Sequence, residues 1–139
     1  MNHKFRGFDA VGDKGWVYGD LVHNIKITKE RDLPRVMVGG YEVIPESVGL
    51  CSELTDKNGK EIFEGDIVRH PFVDPIFRDL VVSNNGKGVL SEVVFHNGAF
   101  TIKNDENDYI YLDAFTRHNY IEVVGNIIEN KELLEERYG

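Results

Sequence analysis

Glu64 and Asp66 are the residues whose type and spacing come closest to a catalytic pair, because they flank Gly65. General acid/base catalysis by two carboxylates requires one of them to lie in an apolar site that raises its pKa. An aspartate immediately before a strand more often accepts backbone N–H groups and fixes a turn. We therefore interpret Gly65 and Asp66 as an architectural turn, and we predict no catalytic residues.

The spacing of histidine and cysteine indicates neither a metal site nor a nucleophile. The five histidines show no His-x-x-x-His spacing, and the single cysteine gives them no partner. Zinc sites depend on such groups of ligands. The segment 56–61, DKNGKE, has its glycine at the fourth position, whereas a calcium loop of the EF-hand type has it at the sixth. We predict no metal and no cofactor, and we interpret Cys51 as a small buried hydrophobic residue.

A predicted hairpin between residues 26 and 35 carries four cations. They are Lys26, Lys29, Arg31 and Arg35. A basic β-ribbon can follow a phosphate backbone, with an aromatic residue such as Tyr41 or Trp16 stacking on bases. Glu30 and Asp32 alternate with the cations and offset their field. A solvated charged turn is the competing interpretation, since mixed-sign charge is the ordinary pattern of protein surfaces.

The net charge of −8 lowers the expectation of nucleic-acid binding, because non-specific binding depends on Lys and Arg replacing counterions. The hydrophobic fraction of 41% is typical of a protein that buries a core. The amino terminus lacks the apolar stretch of a signal peptide, and no window approaches the length of a membrane helix. A single cysteine cannot form an intramolecular disulfide, so these features together indicate a cytoplasmic protein.

The stretch 54–68, LTDKNGKEIFEGDIV, contains the clearest turn signal. Asn58 and Gly59 tolerate two consecutive positive φ angles, so the pair predicts a type I′ hairpin with Lys57 opposite Lys60. The same reasoning identifies two further hairpin signals, Gly39-Gly40 and Asn97-Gly98.

Short strands separated by glycine-rich turns predict an all-β protein. The sequence divides best into an N-terminal β-unit over 1–53 and a C-terminal small barrel over 54–139, or it forms one compact domain. A short helix is predicted over 131–138, with Asn130 as its N-cap. Trp16 and Tyr18 are expected in the core, because aromatic residues in strands are usually buried.

Five blocks of the sequence resemble, in order, those of the YopX family of phage and prophage proteins. They are KFRGFDA…GWVYGDL (4–21), IPESVGL (44–50), LTDKNGKEIFEGDIV (54–68), VVFHNGAF (93–100) and IEVVGNIIEN (121–130). The resemblance covers nearly the whole length and departs from the family pattern at Cys51-Ser52-Glu53 and between 71 and 88. It implies an all-β architecture with an SH3-like C-terminal part and a phage or prophage origin, and it supplies no catalytic residue.

We expect a non-enzymatic accessory protein, derived from a phage or prophage, that acts as a protein-binding or assembly module and forms homo-oligomers. Its protein partner is unknown. Exposed strand edges near Pro34 and Pro71 would permit strand-mediated association. The alternative is a nucleic-acid-associated protein that uses the basic hairpin at 26–35. An enzyme that uses Glu64, Asp66 or Cys51 is the least favoured hypothesis.

Overall fold

The structure, a computed structural model, describes residues 4–27, 32–73, 80–81, 88–105 and 108–136. The described residues are nearly all β, in antiparallel sheets with little helix, which confirms the predicted all-β class. It divides into two compact units, Met1–Cys51 and Ser52–Gly139. That each unit is an independent domain, and that the second is an SH3-like barrel, stay predictions.

The N-terminal unit consists of short antiparallel strands and one 3-10 helix. These elements are β1 (Phe5–Phe8), β2 (Trp16–Gly19), β3 (Leu21–Ile27), β4 (Asp32–Val38), β5 (Tyr41–Glu42), the 3-10 helix Pro45–Ser47 and the beginning of β6 (Gly49–Thr55). One group of strands runs in the order β2-β1-β6, and a second in the order β3-β4-β5. The buried residues Val17, Val38 and Val43 form the core of this unit.

The C-terminal unit is built on a five-stranded antiparallel sheet. Its elements after β6 are β7 (Glu61–Phe63), β8 (Asp66–His70), β9 (Phe72–Val73), β10 (Leu80–Val81), β11 (Val89–His96), β12 (Ala99–Asp105), β13 (Asp108–Tyr111), α1 (Asp113–Thr116), β14 (Glu122–Asn126) and the 3-10 helix Lys131–Glu136. The five strands run in the order β13-β12-β11-β8-β14, while β9 pairs with β10. Val68, Val93 and Ile102 on neighbouring strands pack with Phe115 of α1 in a buried core.

The two predicted hairpins at Gly39-Gly40 and Asn97-Gly98 are confirmed, and their φ angles fit type I′ turns. Gly39 and Gly40 have φ angles of 59° and 88°, and Asn97 and Gly98 have φ angles of 50° and 83°. A type I′ turn requires positive φ at both central residues, a conformation that glycine and asparagine tolerate best. These turns join β4 to β5 and β11 to β12.

The turn at Asn58-Gly59 differs from the prediction, because only Gly59 has a positive φ, of 80°. The N–H of Gly59 donates to the carbonyl of Asp56, and the N–H of Asp56 donates to the carbonyl of Lys60. A type I turn followed by a glycine bulge gives this pattern. The predicted type I′ turn is therefore wrong, and Lys60 faces Asp56 rather than Lys57.

Two smaller predictions also need correction, and one helix was not predicted. Tyr18 is 52% exposed and does not belong to the core. The Oδ1 atom of Asn130 accepts the N–H of Asn126 at 3.2 Å, so this side chain binds back toward β14 instead of capping the helix after it. Helix α1, which the sequence did not indicate, is held by Phe115, whose buried ring contacts the His70 ring at a centroid distance of 5.2 Å.

Candidate functional site

A cleft of about 380 Å³ lies in the N-terminal unit, between the loop 9–14 and the hairpin of β4 and β5. The charged residues that line it are Asp9, Asp13, Lys14, Arg35 and Glu42. Tyr41 lines the same cleft and is 44% exposed. The volume falls in the range of small-ligand sites, and the lining combines aromatic surface with both signs of charge.

Asp9 holds the loop of this cleft in shape. Its carboxylate accepts the N–H of Val11 at 3.1 Å and the N–H of Lys14 at 3.2 Å. The N–H of Val11 is the strongest influence that lowers the pKa of Asp9, and burial opposes it. This support is therefore present above the unfolded-state pKa and is lost as the pH falls through the lowered folded-state pKa. The N–H of Ala10 donates to the carbonyl of Glu42 at 3.0 Å, which ties the loop to β5.

Arg35 is the only predicted nucleic-acid contact whose side chain the structure describes. Its Nε atom is buried and has no hydrogen-bond partner among the described residues. Lys29 and Arg31 lie outside the described residues, and Lys26 is described only as backbone of β3. Convergence of the four cations on one surface thus stays a prediction.

Sequence reasoning missed the parts that Asp9 and Lys14 play in the cleft. The Nζ atom of Lys14 lies 5.9 Å from the centroid of the Tyr41 ring, a cation–π distance. A Cβ atom at Gly12 would lie 2.9 Å from Oδ2 of Asp9, so a larger residue there would displace this carboxylate. An aspartate followed three residues later by glycine, as in DAVGDKG, was the local signal for this turn.

The Asp66 carboxylate binds backbone in the C-terminal unit. Its Oδ2 atom accepts the N–H of Phe63 at 2.8 Å, and the residue is buried. Gly65 has a φ of 92° and joins β7 to β8, so the bend uses a conformation that glycine adopts readily. Glu64 is only partly buried. The two acidic residues therefore lie in different environments, and Asp66 has a structural partner.

Asp56 is an acidic residue of the 54–68 stretch that binds three backbone N–H groups. Its Oδ1 atom accepts the N–H groups of Asn58 at 2.8 Å and Lys60 at 2.9 Å. Its Oδ2 atom accepts the N–H of Val123, on β14, at 2.9 Å. One buried carboxylate thus fixes the turn and joins it to a distant strand, a link that sequence reasoning missed because the partner is remote in sequence.

His70 and Ser91 form a buried polar pair between β8 and β11. The Nε2 atom of His70 lies 2.7 Å from the Ser91 hydroxyl, and its Nδ1 atom lies 2.8 Å from the Pro71 carbonyl oxygen. The Ser91 hydroxyl also donates to the carbonyl of Lys103 at 3.2 Å. Because both side chains are shielded from solvent, the pair joins strands rather than presenting a nucleophile to a substrate.

The described residues contain no group of three His, Cys, Asp or Glu side chains placed to hold a metal ion. Cys51 is buried, as its interpretation as a small hydrophobic residue requires. No helix in the described part of the protein has the length and apolar character needed to cross a membrane.

Glu92 on β11 gives a pH-dependent prediction. Burial is the main cause that raises its pKa above the ordinary value of 4.5, followed by the charge of Glu64, while Lys131 and Lys103 act in the opposite direction. A raised folded-state pKa gives stability that is present below the unfolded-state pKa and lost as the pH rises through the folded-state value. Glu92→Gln should therefore be more stable than the natural protein at neutral pH, and the gain should vanish below 4.5.

Urea unfolding across this pH window measures the effect, with Glu132→Gln as the control because Glu132 is exposed. The predicted direction would be wrong if Glu92→Gln were less stable than the natural protein at neutral pH. It would also be wrong if the difference in unfolding free energy in favour of Glu92→Gln grew on acidification.

Strand β13 lies at one edge of the five-stranded sheet. It pairs with β12 between Thr101↔Tyr111 and Asp105↔Asp108, and no other described strand pairs with it. Tyr111 on this strand is 66% exposed. An edge strand offers unpaired backbone donors and acceptors to another polypeptide, so β13 is a second candidate contact surface.

The family model for YopX protein matches residues 4–135. The chain belongs to the YopX family. Membership confirms the resemblance carried by the five sequence blocks and supports a phage-like protein of unassigned function. The YopX chain is also similar to a solved structure, that of protein EF1440 from Enterococcus faecalis, at 22% identity. That match covers 96% of this chain and 99% of the other with a TM-score of 0.53, which supports the fold alone. No curated protein matches this YopX sequence.

Proposed function

We propose that this YopX-family protein is an accessory protein, derived from a phage or prophage, that acts in the host cytoplasm as a non-enzymatic protein-binding or assembly module and forms homo-oligomers. The observation that carries the proposal is the β13 edge with its exposed Tyr111. A strand from a second molecule can extend a sheet at such an edge through main-chain hydrogen bonds. Tyrosine is enriched at protein interfaces, because its ring buries a large apolar area while its hydroxyl finds a partner.

A second candidate function is nucleic-acid association through the hairpin that carries Lys26, Lys29, Arg31 and Arg35. The unpartnered Nε atom of Arg35 favours it, since a guanidinium can bind a phosphate oxygen. The net charge of −8 opposes it, because the protein as a whole repels a polyanion. Protein binding is therefore the leading proposal.

Affinity purification of tagged protein from infected or prophage-induced cells, with and without nuclease, tests both candidates. We expect captured proteins to persist after nuclease treatment. Tyr111→Lys should reduce their recovery by at least about tenfold, because a lysine on an edge strand opposes strand addition. Tyr120→Lys is the matched control, since Tyr120 is also exposed but lies outside β13.

Light scattering on the same variants measures self-association. A monodisperse monomer of the natural protein at micromolar concentration would reject the homo-oligomer. Capture that disappears with nuclease would favour nucleic-acid association, and equal capture by the Tyr111 and Tyr120 variants would remove β13 as the contact surface.

A further inference from the structure

Arg35 is one of the residues that line the cleft of the N-terminal unit. Its Nε atom is buried, and within the described ranges it has no hydrogen-bond acceptor. A buried donor of a charged group that lacks an acceptor is unfavourable, so turning the guanidinium toward an acceptor in the cleft would recover free energy. The Nε and Nη groups of a guanidinium form a fork that matches the two oxygens of a carboxylate or a phosphate. A guanidinium that lines a cleft is therefore suited to an oxyanion.

Lys14 adds a second cation to the same cleft. Its backbone N–H is fixed by the Asp9 carboxylate at 3.2 Å, and its Nζ atom lies 5.9 Å from the Tyr41 ring centroid. Because the loop is already ordered by these contacts, a ligand at Arg35 would meet a preformed site. The exposed part of the Tyr41 ring offers apolar surface to whatever flanks the oxyanion.

The acidic residues of the cleft decide which oxyanion fits. Asp9 uses its oxygens on backbone N–H groups, whereas Asp13 and Glu42 line the cleft as further negative charges. A series of linked phosphates would bring repeated negative charge against these carboxylates. A polypeptide instead brings a single carboxylate with backbone N–H donors beside it. The carboxylate suits the cations of the cleft, and the N–H donors suit its acidic residues.

We propose that the cleft binds a carboxylate of a polypeptide through the guanidinium of Arg35, with Lys14 and Tyr41 contacting the flanking residues. The carboxylate is either an aspartate or glutamate side chain or the terminal carboxylate of the polypeptide. This site lies in the N-terminal unit and does not depend on association through β13, so either proposal can fail without the other.

The Nε–H resonance of Arg35 in the ¹H–¹⁵N spectrum is the direct readout, because a new carboxylate acceptor changes the environment of that proton. Four probes distinguish the sources of the oxyanion. The first is an acetylated and amidated peptide with one aspartate; the second replaces that aspartate with asparagine. The third is an acetylated peptide without acidic side chains but with a free C-terminus, and the fourth is a short single-stranded oligonucleotide.

We expect a saturable shift with the aspartate peptide, the free C-terminus peptide or both, which identifies the source. The asparagine peptide should bind at least about tenfold more weakly, as the loss of a charge-assisted hydrogen bond implies. Equal binding of the asparagine peptide, no saturable shift at millimolar peptide, or tighter binding of the oligonucleotide would each overturn the proposal.

Variants of Arg35 provide the second arm. Arg35→Gln should weaken binding of the acidic peptide at least about tenfold, and Arg35→Lys should lie between that variant and the natural protein, because it keeps the charge and loses the fork. Arg117→Gln, on an exposed residue of the other unit, should leave binding unchanged. If Arg35→Gln fails to fold, the comparison of the aspartate and asparagine peptides on the natural protein still decides the question.

Discussion

Replacing Asp56 with alanine should lower the free energy of unfolding of the C-terminal unit by about 3 kcal/mol or more. The Asp56 carboxylate is only 4% exposed and accepts three backbone N–H groups, those of Asn58, Lys60 and Val123. Alanine leaves these donors without their acceptor, and a buried unsatisfied donor costs more than the net gain of an average hydrogen bond. The variant should therefore loosen both the turn and its link to β14.

Urea unfolding followed by circular dichroism measures this loss, and hydrogen exchange at the Val123 amide localises it. Asp20→Ala is the control, because Asp20 is exposed and should change the stability by no more than about 0.5 kcal/mol. Asp56→Asn should be intermediate, since it keeps one acceptor oxygen but turns an NH₂ group toward a donor. Similar losses for Asp56→Ala and Asp20→Ala would contradict the structural role of Asp56.

Replacing Gly39 with alanine should destabilise the N-terminal unit much more than the same change at Gly40. Both residues have positive φ angles, of 59° and 88°, so alanine at either position is strained by about 1–2 kcal/mol. A Cβ atom at Gly39 would also lie 2.4 Å from the carbonyl oxygen of Tyr18, whereas one at Gly40 meets nothing within 4 Å. The backbone contact should bring the total loss at Gly39 to about 3 kcal/mol or more.

Fluorescence of Trp16, the single tryptophan of the protein, reports the unfolding of this unit in urea. Both glycines lie in one turn and both have positive φ angles. The difference in unfolding free energy between their alanine variants therefore measures the contact with Tyr18 on β2, separately from backbone strain. Equal losses of stability at Gly39 and Gly40 would contradict this expectation. They would mean that backbone strain accounts for the whole loss and that the backbone near Tyr18 moves away from the new Cβ atom at no cost.

Turns that depend on residues adjacent in sequence could be predicted from the sequence. The hairpins at Gly39-Gly40 and Asn97-Gly98 form as predicted, because two positive φ angles restrict the choice of residues strongly. The turn at Asn58-Gly59 took another form because the Asp56 side chain binds two N–H groups within it. The preference of Asn-Gly for type I′ turns takes no account of an acceptor such as the Asp56 carboxylate. The position of the turn was therefore predictable, and its type was not.

The cleft was not predictable, because its two sides come from segments far apart in sequence. The loop after β1 meets β5 through the bridge between Asp9 and Val43 and through the hydrogen bond from Ala10 to Glu42. The sequence indicated Arg35 only by its charge. Its interest as a ligand-binding residue comes from the burial of its Nε atom, which depends on the packing of the folded protein. Helix α1 was missed for a related reason, since one buried ring holds a segment of four residues.

Strand β8 pairs with β11 on one side and with β14 on the other, reaching as far as the pair Asp66↔Asn126. During synthesis one edge of this central strand therefore stays uncovered until β14, Glu122–Asn126, has been made. The described strand pairs of the N-terminal unit, in contrast, extend no further along the sequence than Leu50. Translation thus favours early folding of the first unit. Until β14 is made, the uncovered edge of β8 can pair with a strand of another molecule. We therefore expect the newly made polypeptide to be most prone to aggregation between the synthesis of β8 and that of β14.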